Sequence, residues 1–115
     1  MRIAVPTKKH AGLEDLVSEV FGKAITFTIV DIENGEIKNV QVIDNSVASL
    51  EHGAGPVAVK TLADLKINLV IAGELGLGVS SLLEHYEIKS LLIETNTKVE
   101  DSIKEALSIL KTEQT

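Results

Sequence analysis

A chain of 115 residues has room for one hydrophobic core and is too short for two ordinary domains, which usually run to about 100–150 residues each. It contains no cysteine, which excludes disulfides, thiolate nucleophiles, zinc–thiolate sites and the usual ligation of iron–sulfur clusters. Its formal net charge of −6, with the eleven Lys and Arg residues scattered along the chain, disfavours binding to nucleic acid.

The hydropathy pattern argues against a membrane protein. No apolar stretch approaches the roughly 18 residues needed to span a bilayer, and the apolar start of the chain is interrupted by Pro6 too early for a signal peptide. We therefore expect a cytoplasmic location and no membrane partner. The apolar residues are mainly Val, Ile, Leu and Ala, with only 3% aromatic residues, which favours a buried sheet covered by helices.

The first predicted elements are a short strand and a short helix. Residues 2–6 are mostly apolar and end at a proline, which cannot donate a hydrogen bond to a sheet. After a loop, apolar residues recur at i, i+3, i+4 and i+7, the spacing of an amphipathic helix. These residues are Leu13, Leu16, Val17 and Val20. The spacing predicts one or two helical turns that end before Gly22.

A β-hairpin is the clearest local prediction. Two β-rich runs, 24–33 and 36–44, are joined by Asn34-Gly35, a dipeptide that accepts the positive φ angles of a type I′ turn. Apolar residues in the first run change parity midway. Either both faces of that strand are covered or a bulge interrupts it.

The second half of the chain predicts alternating helices and strands. Pro56 stands at a position where proline is favoured as the first residue of a helix. The almost uninterrupted apolar run over 67–72 is typical of a strand buried on both faces. Apolar residues at helical spacing predict the later helices. The predicted elements are a helix over 56–65, a strand over 67–72, a helix over about 79–86, a strand over 88–93 and a helix over about 99–110.

This element order predicts one α/β domain over residues 1–110, followed by a C-terminal tail over 111–115. Right-handed crossovers would place the last two strands parallel to the first and beside it. The hairpin would then extend the sheet on the other side of the first strand. The oligomeric state is left open by the sequence.

Four loops are candidates for a binding site. In open α/β sheets, ligands bind beyond the carboxyl ends of the parallel strands. This rule selects the loops 7–12, 73–78 and 94–98, and the loop 51–55 can approach from the side because it leads into a helix.

The segment His52-Gly53-Ala54-Gly55-Pro56 places an imidazole and two glycines directly before a predicted helix. Helix N-termini attract anions, so this segment could hold a carboxylate, a phosphate or an anionic metal cluster, with His52 as a ligand or donor. The alternative is that the glycines only turn the chain and His52 is a solvated loop residue.

A glycine-rich turn follows the predicted buried strand and contains Gly73, Glu74, Gly76 and Gly78. Such a turn lets the backbone approach a ligand closely, although it matches neither the dinucleotide nor the Walker fingerprint. The alternative is a tight strand-to-helix connection with Glu74 pointing to water.

The remaining histidines give weaker predictions. His10 lies in a loop that should open onto the same cleft and ranks behind His52 as a candidate metal ligand, whereas His85 is expected on the surface of a helix. None of the serines lies in a G-x-S-x-G elbow. Binding is therefore a better hypothesis than catalysis.

Several motifs in order resemble those of the dinitrogenase iron-molybdenum cofactor biosynthesis family, whose members include NifX-like and NafY-like small α/β proteins. The motifs are M-R-I-A-V-P-T at the start, F-G-K-A before F-T-I-V-D, the N-G hairpin, H-G-A-G-P, and V-I-A-G-E-L-G before a helix. They span nearly the whole chain. One difference is Val20, which precedes Phe21-Gly22 where family members often carry histidine.

The resemblance implies a ribonuclease-H-like, three-layer α/β/α fold with a five-stranded mixed sheet. It also implies binding of the iron-molybdenum cofactor or an iron–sulfur precursor during cluster assembly, with assembly proteins as partners, and it adds Phe21 and Gly22 to the candidate cofactor-binding residues. A regulatory module that binds a small anion or a protein is the main alternative. A nuclease is disfavoured because the first strand carries no carboxylate.

Overall fold

The computed structural model describes residues 1–50 and 53–113. Its strands are β1 (Arg2–Thr7), β2 (Thr26–Glu33), β3 (Glu36–Asp44), β4 (Leu69–Ala72) and β5 (Lys89–Leu92). Its helices are α1 (Ala54–Asp64), α2 (Leu77–His85) and α3 (Val99–Glu113), with a 3-10 turn at Gly12–Glu14. None of the helices in these two ranges is long and apolar enough to cross a membrane.

The five strands form one mixed sheet in the order β3-β2-β1-β4-β5. Strand β4 lies parallel to β1, and β5 lies parallel to β4. Strand β2 is antiparallel to β1, and β3 is antiparallel to β2. The predicted strand arrangement is therefore confirmed, with the parallel strands on one side of β1 and the hairpin on the other.

The hairpin turn has the backbone that its sequence predicts. Asn34 and Gly35 have φ angles of 54° and 79°, so both central positions are left-handed, as a type I′ turn requires. The register between β2 and β3 shifts between Asp31 and Ile32. The extra residue is Lys38 of β3, so this shift does not explain the change of parity in β2.

Phe27 and Ile29 pack on one face of the sheet, and Val30 and Ile32 pack on the other. The change of parity therefore reflects burial on both faces of β2, the first of the two explanations.

Helices cover both faces of the sheet, which confirms a three-layer α/β/α arrangement compatible with the ribonuclease-H-like prediction. On one face, Leu62 of α1 and Leu83 of α2 pack into a core with Val70. On the other face, Ile103 of α3 packs into a second core with Ile71. Successive residues of β4 thus point to opposite faces, and both faces are buried because each carries a helical layer.

The helix predicted from Leu13 to Val20 is wrong. Only a 3-10 turn forms, and the chain then extends so that Val17 bridges Thr7 and Leu16 bridges Lys98. Val17 is fully buried against the α3 face of the sheet. Leu13 packs against the same core, whereas Val20 is 52% exposed, so these apolar residues do not share one buried helical face.

Element boundaries differ from the predicted ones by a few residues. Helix α1 begins at Ala54, two residues before Pro56, and β4 begins at Leu69, two residues after the predicted start. Helix α3 continues through Glu113, three residues into the predicted tail, because Leu107 and Leu110 still pack against the core near its end. Residues 114–115 lie outside the described ranges.

Candidate functional site

A cavity of about 350 Å³ lies beyond the carboxyl end of β4. Three segments surround it: the turn before β2, the start of α1, and the connection from β4 to α2. The lining residues are Glu19, Val20, Phe21, Gly22, Lys23, Gly53, Ala54, Gly55, Glu74, Gly76 and Val79. Its volume falls at the lower end of the about 300–1,000 Å³ typical of ligand pockets.

Two glycines let these segments approach one another closely. A Cβ atom on Gly22 would lie 2.7 Å from the backbone N of Gly55 and 2.8 Å from its Cα. A Cβ atom on Gly55 would lie 2.8 Å from Cγ2 of Val79. The base of the cavity is therefore built by direct backbone packing, and a side chain at Gly22 would push the first turn of α1 outward.

The N-termini of α1 and α2 both reach this cavity. Their N-cap residues are Gly53 and Gly76, neither helix has a side-chain cap, and neither carries an acidic residue in its first turn. Helix α3, by contrast, has Glu100 and Asp101 in its first turn. The first N–H groups of α1 and α2 lack intrahelical acceptors, so two partial positive charges converge on one cavity.

The charged side chains of the lining are few and exposed. Glu19 and Glu74 carry carboxylates, and Lys23 supplies an ammonium group. The ammonium group of Lys23 donates a hydrogen bond to the carbonyl oxygen of Leu50. Among the described residues, attraction of an anion therefore comes from the helix N-termini and Lys23, against repulsion from two carboxylates.

Apolar side chains complete the wall. Phe21 is buried and packs its ring against Phe27, with the ring centroids 5.3 Å apart and the planes tilted by 58°. This contact anchors the turn before β2 in the core. Val20 beside it is 52% exposed, so the position at which the resemblance leads us to expect histidine presents an apolar surface.

The structure brings six of the predicted site residues together around the cavity. They are Phe21, Gly22, Gly53, Gly55, Glu74 and Gly76. A role in binding a cofactor requires that these residues share a hollow, and they do; the role itself stays a prediction.

The other two glycines of the predicted turn, Gly73 and Gly78, are not among the described residues that line the cavity. A Cβ atom on Gly73 would lie 2.2 Å from Oγ1 of Thr95, so this glycine serves close packing between two loops. Gly78 belongs to the first turn of α2 and has open space around it. Glycines in one turn thus have different structural roles.

Of the predicted metal ligands, His52 lies outside the described residues, so its role stays a prediction. His10 does not line the cavity, because its Nε2 atom lies 2.5 Å from Oδ1 of Asp44 at the exposed end of β3. Within residues 1–50 and 53–113, no group of three or more His, Asp or Glu side chains is arranged to hold a metal ion. His85 lies on the surface beside Tyr86, as predicted.

Sequence reasoning missed Glu19, Lys23 and Val79 as lining residues. Glu19 and Lys23 flank Val20-Phe21-Gly22 in the sequence, so their proximity to the candidate motif was an available indication. The only sequence signal at Val79 was its place in the helical spacing of α2. That spacing does not distinguish a core residue from one that lines a cavity.

The fold and cavity define a three-layer α/β protein with a candidate binding cavity beyond the carboxyl end of β4. The chain matches the profile of the dinitrogenase iron-molybdenum cofactor family over residues 1–109. It belongs to that family.

Individual relatives are similar over most of their length. An uncharacterised protein of Methanocaldococcus jannaschii is 32% identical over 104 residues, which cover 90% of this chain and 83% of that protein. The apo form of the orange protein of Desulfovibrio gigas superposes with a TM-score of 0.82 at 29% identity, covering 93% of this chain and 87% of that one. A Thermotoga protein named for NifB gives a TM-score of 0.75 at 30% identity with the same coverage of both chains.

Proposed function

We propose that this protein binds and carries an iron-molybdenum or iron–sulfur type cofactor during metal-cluster assembly, and that it holds this cargo without transforming it. The supporting observation is one cavity at which two uncapped helix N-termini meet, in a chain of the iron-molybdenum cofactor family. The proposal implies assembly proteins that deliver and receive the cargo, and a cytoplasmic setting.

The cargo is held without thiolates in this proposal. The chain has no cysteine, so a cluster would be bound as a whole anion by the charge of Lys23 and by backbone N–H groups of the lining residues at the two helix N-termini. These lining residues are Gly53, Ala54, Gly55, Gly76 and Val79. Hydrogen bonds from such groups to cluster sulfurs are a general means of stabilising a cluster. His52 is the predicted source of an imidazole ligand.

The apolar lining supports the same proposal. Val20, Phe21, Ala54 and Val79 exclude water from one side of the guest. Electrostatic attraction between backbone dipoles and an anion is stronger where water is excluded, because the effective dielectric constant is lower. A glycine base and apolar walls can therefore bind a large anion with few charged side chains.

A regulatory module that binds a small anion or a protein partner, without bound metal, is the second candidate function. It is favoured by the lack of any three-ligand group for a metal among the residues that the structure describes. It differs from the carrier in requiring no metal uptake.

Anaerobic loading tests the carrier proposal. The protein is incubated with ferrous iron, sulfide and molybdate, desalted, and examined by metal analysis and visible absorption. We expect the wild type to retain metal with a sulfide-to-metal charge-transfer spectrum, and His52→Ala to retain less because an imidazole is lost. His85→Ala is the matched control, since this exposed imidazole lies on α2 away from the lining.

A wild type that emerges without metal would contradict the carrier function. Thermal stabilisation of that metal-free protein by molybdate or phosphate would then support the second candidate. Equal metal retention by His52→Ala and the wild type would remove His52 from the site and leave the carrier function in place.

A further inference from the structure

We propose that Lys23 is the side chain that binds an anion in this cavity and that Asn45 is its positioning residue. The inference rests on the proposed function in one respect, since it assumes that the cavity takes a negatively charged guest. It adds two residues that the predicted site did not contain: Lys23, which lies in the F-G-K-A motif, and Asn45, which lies in none of the motifs.

Lys23 is the one cationic side chain among the described residues that line the cavity. In the described part of the chain, no carboxylate forms an ion pair with it, whereas Lys60, Lys98 and Lys104 each pair with one. Its ammonium group contacts an uncharged acceptor, the carbonyl oxygen of Leu50. The positive charge of Lys23 is therefore not neutralised by a neighbouring carboxylate among these residues.

The Lys23 ammonium group can exchange its hydrogen bond to this carbonyl oxygen for one to a bound anion at a low cost in free energy. It has three N–H donors, and a bond to a carbonyl oxygen at an exposed position exchanges readily with water. An anion in the cavity would offer a stronger, charge-assisted acceptor. The positive charge of Lys23 would also offset the repulsion that the carboxylates of Glu19 and Glu74 exert on the same anion.

Asn45 fixes the backbone on both sides of Lys23. Its Nδ2 donates hydrogen bonds to the carbonyl oxygens of Gly22 and Ala24, at 3.0 and 2.9 Å. Its backbone N–H donates to the carbonyl oxygen of Ile25 at 3.1 Å. The turn that carries Lys23 is thereby held to the end of β3, more than 20 residues away in the sequence.

The same residue also shapes the chain that leads towards α1. The Oδ1 of Asn45 accepts a hydrogen bond from the N–H of Val47 at 3.4 Å, and its carbonyl oxygen accepts one from Ala48 at 3.2 Å. Those bonds begin the turn that ends at Leu50, the partner of Lys23. Asn45 therefore determines the position of Lys23 and of the carbonyl group on which its ammonium rests.

Titration with sodium molybdate tests the role of Lys23. The amide resonances of Gly22, Gly55 and Gly76 are followed in ¹⁵N-labelled protein, and saturable shifts are expected for the wild type. Lys23→Met should weaken binding about tenfold, the loss expected for one charge-assisted hydrogen bond. Lys23→Arg should bind nearly as well as the wild type because the charge is kept.

Lys38→Met is the matched control, because it removes the same charge from an exposed position on β3 outside the lining. It should bind molybdate like the wild type. Equal affinity of Lys23→Met and the wild type would overturn the inference. An equal loss in Lys38→Met, or no saturable shift in the wild type, would overturn it as well.

A double-mutant cycle tests the role of Asn45. Asn45→Ala alone should weaken molybdate binding about tenfold, as for other groups that orient a binding residue. In the Lys23→Met background it should cause little further loss, because Asn45 acts through Lys23. Equal losses in both backgrounds would mean a general structural role and would contradict the assignment.

Asn39→Ala is the control for Asn45→Ala, because Asn39 lies on β3, which ends one residue before Asn45, and its side chain donates to Asp31 away from the cavity. The two proposals fail separately. Lys23-dependent molybdate binding without retention of metal sulfide would leave this inference standing and contradict the carrier function. If the protein retains metal but Lys23→Met binds molybdate as well as the wild type does, the carrier function stands and the role of Lys23 is contradicted.

Discussion

A single buried carboxylate determines the path of the chain after β1. The Oδ atoms of Asp15 accept hydrogen bonds from the backbone N–H groups of Lys9 and Leu16 at 2.9 and 2.8 Å, and longer ones from Lys8 and Ala11. Asp15 is only 3% exposed. These bonds satisfy the backbone donors of an irregular loop, which explains why this segment does not form the helix that its apolar spacing predicts.

Replacement of Asp15 should therefore destabilise the protein. Asp15→Ala leaves several backbone N–H groups without their acceptor, and we expect the free energy of unfolding to fall by about 2–4 kcal/mol. Urea unfolding at neutral pH measures this change. Asp64→Ala is the control, because its ion pair with Lys60 is exposed to solvent and such pairs contribute little to stability. Similar losses in the two variants would refute the role given to Asp15.

At the scale of elements, the cavity depends on how closely three segments approach. Gly22 in the turn before β2 packs on Gly55 at the start of α1, and Gly55 packs on Val79 at the start of α2. The N-termini of both helices are thereby placed around one hollow, and neither is neutralised by an acidic first turn. The electrostatic character of the site is thus a property of the element arrangement more than of any side chain.

Two glycine-to-alanine variants test whether binding depends on the close approach of these segments. Gly22→Ala should lose most of the metal that the wild type retains after anaerobic loading and unfold about 1–3 kcal/mol more easily, because its Cβ would lie within 3.0 Å of backbone atoms. Gly78→Ala meets nothing within 4 Å and should retain metal like the wild type. A cooperative thermal unfolding transition in both variants serves to show that they fold. Equal retention by the two variants would argue against the cavity as the binding site.

At the scale of the whole molecule, the sheet and its two helical layers could be predicted from local patterns. The β4 sequence Leu-Val-Ile-Ala is apolar throughout because both faces are buried, and Asn34-Gly35 fixes the hairpin through its own φ angles. Four of the six predicted site residues around the cavity follow from glycine-rich motifs at element ends, and Phe21 and Gly22 follow from the family resemblance. These features could be predicted because they depend on interactions between residues that are close in the sequence.

The remaining features depend on contacts between distant residues. The extended path around Val17 requires its pairing with Thr7 and its burial against α3. The position of Lys23 requires Asn45, and the exclusion of Gly73 from the lining follows from its packing against Thr95. Spacing along the chain contains no information on such contacts, so they could be found only from the folded structure.

In the proposed function, a cavity of backbone amides and one ammonium group holds an anionic metal cluster without thiolates. Anomalous diffraction at the iron edge, from crystals of anaerobically loaded protein, tests this proposal most directly. We predict iron peaks inside the cavity, between Gly22, Gly55 and Gly76. Iron bound elsewhere, for example at the exposed pair of His10 and Asp44, with none in the cavity, would contradict the proposal.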